Sequence, residues 1–326
     1  MIRRLLARVL AWLGPYLRPL AWATLVANIV LVVTGGAVRL TGSGLGCPTW
    51  PRCTESSFTP HGELDLHSAI EFGNRLLTFV LVAIAVATFL AAWSSLRRDV
   101  RLLAFVLALG IPAQAIIGGI TVLTDLNPWI VSFHLLCSLA MIGLSVLFLH
   151  RLGGSRVTPS RGPVVALAWA VFGAAWLVLY LGTVVTGSGP HAGDADVARN
   201  GLDPLQVSQL HADSVFLFLG LTAGLYFAVR AAGLPLRPLH VLLVVIVAQG
   251  AIGFVQYATD VPIVLVGFHM LGAAFVSASV TWVLLSVREP VRAATAGSGG
   301  SGEPGSVRDL ETDPHTPLVR RPPVRR

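Results

Sequence analysis

Eight apolar segments dominate this chain and limit the folds available to it. Each is about 20 residues or longer, the length that an α-helix needs to cross roughly 30 Å of hydrocarbon. With 54% hydrophobic and 12% charged residues, the 326-residue chain carries too little charge to cover a soluble globule. The sequence therefore predicts an all-α membrane protein with eight transmembrane helices. The predicted spans are about 19–38, 68–95, 101–122, 129–150, 164–186, 208–231, 237–257 and 261–287.

The arginines predict which side of the membrane each loop faces, because basic residues in short loops stay on the cytoplasmic side. Those before the first span and after the second, fourth and sixth are Arg3, Arg4, Arg8, Arg18, Arg97, Arg98, Arg101, Arg151, Arg156, Arg161, Arg230 and Arg237. The opposite loops carry Arg39, Arg52 and Arg199. Both termini are therefore predicted to be cytoplasmic, with an uncleaved first span. Topology explains the net charge of +7, so no nucleic-acid binding is expected.

Two stretches of the chain repeat each other, which indicates a duplicated unit. Residues 113–139 and 248–274 place a glutamine, an aspartate and a histidine at the same intervals, and the histidines are His134 and His269. Each copy contains four spans and returns to the side where it began, so the copies are expected to be related by an axis along the membrane normal. The predicted fold is two repeated four-helix bundles with pseudo-two-fold symmetry.

Domain boundaries follow from the repeat and from the composition of the connecting segments. The tail is rich in Gly, Ser, Pro and Arg and has few large apolar side chains, which is typical of disorder. We expect a cytoplasmic N-terminus at 1–18, an N-terminal bundle at 19–150, a cytoplasmic linker at 151–163, a C-terminal bundle at 164–287 and a disordered cytoplasmic tail at 288–326.

Histidines inside the predicted spans indicate a functional site. A buried ionisable side chain in a membrane is costly, and His134 and His269 recur at the same depth in both halves. His211 lies just inside the outer end of the sixth span, at a depth similar to that of His269. Facing helices of a bundle can direct one imidazole each at a haem iron. The alternative for each is a hydrogen-bonded packing residue. His191 in an outer loop is either a plain loop residue or a cover over a porphyrin edge.

Two further strings resemble a known family. The loop after the first span reads VRLTGSGLGCPTWPRC from Val38, and the second span begins HSAIEFGNRLLTFV from His67. With the histidine repeat, they are similar to the haem A synthases over roughly residues 19–287. Those membrane enzymes oxidise a methyl group of haem O to the formyl group of haem A. The resemblance implies a haem b bound by His211 and His269 in the C-terminal half.

The resemblance also implies that the N-terminal half receives haem O and produces haem A, with His134 as one axial ligand. The family's second axial histidine belongs to a Glu-x-x-His-Arg motif, and this chain has Asn74 at that place. An asparagine amide is a poor iron ligand. We expect His134 to be the only protein ligand and Asn74 to hydrogen-bond a water or oxygen species at the open position. His67 is the alternative ligand, although it lies about 10 Å from Asn74 along the helix.

Charged residues near the same helix complete the candidate site. Glu71 shares a helix face with Asn74 and matches the family's essential acid. A catalytic role is therefore expected, either proton relay or stabilisation of positive charge at the methyl carbon. The alternative is an ion pair with Arg75, four residues later. Arg39 and Arg75 are expected to hold the haem propionates, because guanidinium groups pair bidentately with carboxylates.

The cysteines bear on the redox compartment. Cys47 and Cys53 share a predicted outer loop, where oxidising conditions favour a disulfide. A metal site would need more ligands in closer pairs. Cys137, three residues after His134, is expected to be a small packing residue.

Three classes of protein compete for this pattern. An oxidase that acts on haem O is favoured by the loop motif. A di-haem b-type cytochrome exchanging electrons with quinone would need two histidine pairs, and a transporter would more usually show helix breaks near the midplane. For the oxidase, the expected partners are haem O synthase, an electron donor and the lipid bilayer, in the plasma membrane of a bacterium.

Overall fold

A computed structural model describes residues 2–60, 66–153 and 162–287. These residues form nine α-helices: α1 (Ile2–Leu13), α2 (Leu17–Leu40), α3 (Leu66–Trp93), α4 (Arg98–Leu123), α5 (Pro128–Leu152), α6 (Pro163–Ser188), α7 (Pro204–Ala231), α8 (Arg237–Ala258) and α9 (Ile263–Ser286). Eight of the helical segments, the first running from Arg8 to Leu40, are long and apolar enough to cross a membrane. The all-α fold with eight spans is thereby confirmed.

One helix was not among the predicted elements. α1 occupies most of the segment expected to be a cytoplasmic N-terminus, and a 3-10 turn, Gly14–Tyr16, joins it to α2. It packs against α3. The predicted linker at 151–163 falls largely on residues 154–161, and the predicted tail at 288–326 lies entirely outside the described residues.

Proline and short polar side chains set several helix starts. Proline is the first residue of α5, α6 and α7, where its missing N–H costs nothing because the first turn of a helix has unpaired donors. The side chain of Asn127 accepts a hydrogen bond from Trp129 N ahead of α5. Asp203 accepts from Leu205 N and Gln206 N ahead of α7. These caps fix where α5 and α7, two of the helices that carry histidines, begin.

The long helices form two groups in chain order. In the first, α2 and α4 each pack against α3 and α5; in the second, α6 and α8 each pack against α7 and α9. The groups meet through α2, α5, α6 and α9. Leu139 and Ile142 of α5 share one buried cluster with Val171 of α6 and Val280 of α9. The predicted pair of joined four-helix bundles is confirmed.

Hydrogen bonds between helices also cross this interface. Ser277 of α9 donates to the carbonyl of Leu139 on α5 at 2.7 Å. Ser132 of α5 reaches the carbonyl of Thr183 on α6 at 3.3 Å. Because these hydroxyls are buried, each needs such a partner, and small residues let the backbones approach closely enough to supply one.

The repeat extends to backbone conformation. Asp125 and Leu126, between α4 and α5, have φ of 50° and 54°, and Asp260 and Val261, between α8 and α9, both have φ of 58°. Two consecutive non-glycine residues with positive φ are rare, so their recurrence marks the same turn in both copies. We call the end of the molecule that carries 41–60, 124–127, 189–203 and 259–262 the disulfide side.

Candidate functional site

The three predicted histidines occupy matching places in their helices. His134 is the seventh residue of α5 and His269 the seventh of α9, while His211 is the eighth of α7. At 1.5 Å per residue, each lies roughly 10 Å along its helix from the disulfide side. All three are partly buried. The structure therefore brings them to one depth.

His211 and His269 form a facing pair in the second bundle. Their ring centroids are 6.4 Å apart and their planes are inclined at 75°. An iron held by both imidazoles needs centroids about 6 Å apart, because a metal–nitrogen bond is roughly 2 Å and each centroid lies about 1 Å behind its nitrogen. The pair thus has the separation that bis-imidazole ligation requires.

Glycines on the neighbouring helices face these rings. A Cβ added to Gly182 of α6 would lie 3.2 Å from Cε1 of His211, and one added to Gly253 of α8 would lie 3.6 Å from Cε1 of His269. In the first bundle a Cβ on Gly118 of α4 would lie 3.4 Å from Cε1 of His134. The absence of side chains at these positions leaves room beside each imidazole.

A glutamine supports the backbone of the histidine in each copy. Nε2 of Gln249 donates to the carbonyl of His269 at 2.9 Å. Nε2 of Gln114 donates to the hydroxyl of Ser138 at 2.7 Å and contacts the carbonyl of His134 at 3.4 Å. The sequence repeat contained both glutamines, but their contact with the histidine carbonyls could be seen only after folding.

Both repeat histidines keep a free ring nitrogen. Among the residues that the structure describes, Nδ1 of His134 and Nδ1 of His269 are buried without a hydrogen-bond partner. An imidazole that only filled space would be expected to satisfy its buried polar atoms. The donor set, the ring separation and the glycine-lined walls together fit an iron porphyrin.

Asn74 occupies the place in the first bundle that His211 occupies in the second. It is the ninth residue of α3, one position deeper than His211 in α7. Its Oδ1 accepts a hydrogen bond from Thr34 of α2 at 2.8 Å. That bond fixes the amide plane and directs Nδ2 away from Thr34, 3.9 Å from where a Cβ on Gly35 would lie.

His67 and His191 form hydrogen bonds with loop residues. Nδ1 of His67 is 3.0 Å from the hydroxyl of Ser43, which ties it to the loop after α2. Nε2 of His191 lies 2.9 Å from the carbonyl of Val261. These contacts place His67 at the helix end rather than beside Asn74, and they tie His191 to the turn before α9.

Glu71 is buried and its carboxylate is fully engaged. Its side chain is 7% exposed, and Oε2 accepts from Cys47 N at 2.6 Å. Oε1 accepts from Nη2 and Nε of Arg75 at 2.6 and 3.1 Å. The ion pair considered as the alternative role for Glu71 is therefore present, together with a loop contact that the sequence did not reveal.

The two arginines expected to bind propionates make backbone contacts here. Nη2 of Arg75 donates to the carbonyls of Cys47 and Thr49, and its Nη1 donates to the carbonyl of Arg52. Arg39 donates from Nε to the carbonyl of His191 at 2.7 Å and from Nη2 to that of Thr186 at 2.9 Å. Arg75 holds one loop to α3, and Arg39 links the two halves on the disulfide side.

The cysteine pair is joined. Cys47 and Cys53 form a disulfide with a Cα–Cα separation of 4.4 Å, and Cys137 is a partly buried free thiol. Although the disulfide lies in a connection between helices, Cys47 is 0% and Cys53 1% exposed. The loop around it is therefore packed against the helices.

The fold and site define a multi-span helical membrane protein with a facing pair of histidines in one of two repeated bundles. A family model described as cytochrome oxidase assembly protein matches residues 18–196, more than half of the chain. The chain belongs to this family, and it is a multi-pass membrane protein.

Relatives with a common name match different lengths of the chain. A haem A synthase of Lysinibacillus sphaericus is 37% identical over 123 residues, 36% of this chain and 39% of that protein. One of Staphylococcus haemolyticus is 28% identical over 52% of this chain and 59% of its own length. One of Staphylococcus epidermidis is 22% identical over 84% of this chain and 97% of its own length. The chain spans between 34% and 59% of the first four relatives.

Proposed function

We propose that this protein is a haem A synthase, an oxidoreductase that converts the methyl group of haem O to the formyl group of haem A. The observation that carries the proposal is an asymmetry within a repeat. One bundle presents two imidazoles 6.4 Å apart, and the other presents one imidazole with an amide at the second position. Such an arrangement suits one resident haem and one haem that is acted upon.

His211 and His269 are proposed to hold a haem b in the second bundle. When bound there, the group supplies one-electron transfer, which the side chains of this chain cannot provide. The two imidazoles fix its position, Gly182 and Gly253 leave space beside them, and Gln249 orients the helix segment that carries His269. With both imidazoles committed to holding the group, this half would offer no further protein ligand to a substrate, which favours an electron-transfer role for it.

His134 is proposed to bind the substrate haem O in the first bundle. With His134 as the only imidazole at this place, a bound haem O would have a side free for an oxygen species. Asn74 is proposed to donate a hydrogen bond from Nδ2 at that position, since Thr34 already donates to its Oδ1. The contact of His67 with Ser43 supports this choice over His67 as a second ligand.

Glu71 is proposed to be the acid that serves the substrate half. A carboxylate in a low-dielectric site can relay a proton or stabilise positive charge at the methyl carbon. Cys47 N–H and Arg75 restrict its position, which favours a defined direction for proton transfer. The ion pair with Arg75 is part of this arrangement rather than an alternative to it.

Of the two arginines, only Arg39 is proposed to bind a haem propionate. It uses Nε and Nη2 for the carbonyls of His191 and Thr186, so these two bonds do not involve Nη1. We propose that it pairs with a haem propionate near the disulfide side. Arg75 retains its bonds to Glu71 and the loop carbonyls and contributes mainly by holding them.

The proposed topology places the disulfide side outside the cell. Arginines gather in the loops of the opposite side, which favours a cytoplasmic location for that side and for both termini. The proposed compartment is the plasma membrane of a bacterium, where the external side is oxidising. Haem O synthase and an electron donor are the proposed partners, and the repeat boundary at 151–163 separates the two proposed domains.

Complementation with pigment analysis tests the function. The chain should restore haem A to a strain that accumulates haem O, and the purified protein should contain haem B together with haem O or haem A by mass. Haem B alone, with no restoration, would support the b-type cytochrome, although the structure brings only one pair of imidazoles together among the described residues. Protein without porphyrin would exclude both.

A further inference from the structure

The loop closed by the disulfide, residues 47–53, is held from two sides. On one side it meets α3. Arg75 donates to three of its carbonyls, those of Cys47, Thr49 and Arg52, at 3.0, 3.0 and 3.1 Å. In return, Cys47 N–H donates to Glu71 Oε2 at 2.6 Å. The position of the loop and the position of the Glu71 carboxylate are therefore coupled.

On the other side the loop meets α4 through Trp50. The indole ring lies directly on the backbone of Gly119, so that a Cβ at this position would overlap ring atoms Cγ, Cδ2 and Cε2. Gly119 is buried. The preceding residue, Gly118, faces the ring of His134. Trp50 thus connects the loop to the helix that forms one wall of the proposed substrate site.

Within the described residues of the second half, 162–287, the matching positions cannot make this contact. In the repeat register that aligns Gly118 with Gly253, Gly119 corresponds to Phe254, whose side chain is 69% exposed. In the register that aligns Asn74 with His211, Ser208 and Ala212 take the places of Glu71 and Arg75. The loop of residues 189–203 contains no cysteine.

We infer that Trp50 and Gly119 are positioning residues of the first bundle: the indole seated on Gly119 holds the disulfide loop against α4, so that Cys47 N–H fixes the carboxylate of Glu71. The inference rests on the catalytic role proposed for Glu71. Loss of the contact between Trp50 and Gly119 frees the loop from α4 and exposes the disulfide. It also lengthens or breaks the hydrogen bond from Cys47 N–H to Glu71 Oε2. Glu71 then keeps only its partner on the same helix, Arg75.

The test compares two variants that remove the contact between Trp50 and Gly119 with one that leaves it in place. Gly119→Phe introduces the residue found at the matching position of the second half, and Trp50→Ala removes the indole. Gly250→Phe on α8 is the matched control, because nothing lies within 4 Å of a Cβ there. Trp50→Phe retains an aromatic ring and should rescue part of the effect. Size-exclusion chromatography in detergent identifies any variant that fails to fold.

The first measurement is the rate of disulfide reduction, which needs no haem. Purified protein is treated with a phosphine reductant, denatured at intervals and labelled with a maleimide, so that mass shows one label before reduction, from Cys137, and three afterwards. We expect reduction to be at least about ten-fold faster in Trp50→Ala and Gly119→Phe, because burial limits access of a reductant to the sulfurs. If both variants are reduced at the wild-type rate, the contact between Trp50 and Gly119 does not hold the loop against α4.

The second measurement is haem O turnover per bound haem b. Because the contact between Trp50 and Gly119 acts on Glu71 rather than on haem binding, we expect kcat to fall at least about ten-fold with KM little changed. Trp50→Phe should recover kcat in part, whereas Gly250→Phe should match the wild type. Faster reduction with unchanged kcat overturns the positioning of Glu71. If the wild-type chain forms no haem A, the proposed function is wrong. The reduction rates then still test whether the contact between Trp50 and Gly119 holds the disulfide loop against α4.

Discussion

His211 and His269 lie on different helices of the second bundle, yet their ring centroids are 6.4 Å apart. In the first bundle the residue equivalent to His211 is Asn74, whose Oδ1 accepts a hydrogen bond from Thr34 at 2.8 Å. The two copies therefore share helix order, turn conformation and one histidine but differ in the second donor. We interpret this difference as the division between a cofactor site and a substrate site.

Replacing either His211 or His269 with alanine should remove most of the haem b from the purified protein. Each substitution leaves one imidazole, and a haem held by one imidazole instead of two is bound more weakly. The Soret band and the pyridine haemochrome spectrum measure the loss. His240→Ala is the control, because His240 packs beside Tyr226 away from the pair. Unaltered spectra in both variants would contradict the assignment.

Asn74→His should lower turnover while haem O binding persists. A second imidazole at this place would compete for the iron position that the reaction needs to remain open. Single-turnover measurements on protein loaded with haem O report the effect. Thr34→Val is the companion variant, because it removes the bond to Asn74 Oδ1 and should give a smaller decrease. An undiminished or increased rate in Asn74→His would count against the open-position model.

Glu71→Gln should reduce haem A formation by about 100-fold or more, since positioned general acids and bases contribute roughly that amount. The amide keeps the shape of the side chain and can still accept from Cys47 N–H, so the haem b spectrum should not change. Glu55→Gln in the same connection is the control, because Glu55 is exposed. A rate close to that of the wild type would assign Glu71 to structure alone.

Arg39→Ala should destabilise the junction between the halves on the disulfide side. The side chain donates two hydrogen bonds to carbonyls of the second half, at 2.7 and 2.9 Å. Partly buried bonds from a charged group contribute about 2 kcal/mol each, so the apparent melting temperature in detergent should fall measurably. Arg52→Ala provides the comparison, because its contacts lie within an exposed part of the loop. Equal melting temperatures in the two variants would rule out the cross-link.

The repeat marked matching positions outside the spans as well as within them. Aligning His134 with His269 also aligned Asp125 with Asp260, and the structure gives this pair the same positive-φ turn. The sequence matched the two aspartates, and the structure added that their backbone conformation is the same. The repeat could not predict which side chains of different helices contact each other. Gln114 and Gln249 were visible in the repeat, but their bonds to the histidine backbone were not.

By itself, the sequence determined the number and approximate limits of the spanning helices, their duplication and the depth of the histidines. These properties depend on hydrophobic length and on spacing along one helix, both of which are local. The tertiary structure alone decided that Glu71 bonds Cys47 N–H, that Arg39 joins the two halves and that Trp50 rests on Gly119. Such contacts depend on how each helix is rotated about its axis, and packing against neighbouring helices fixes that rotation.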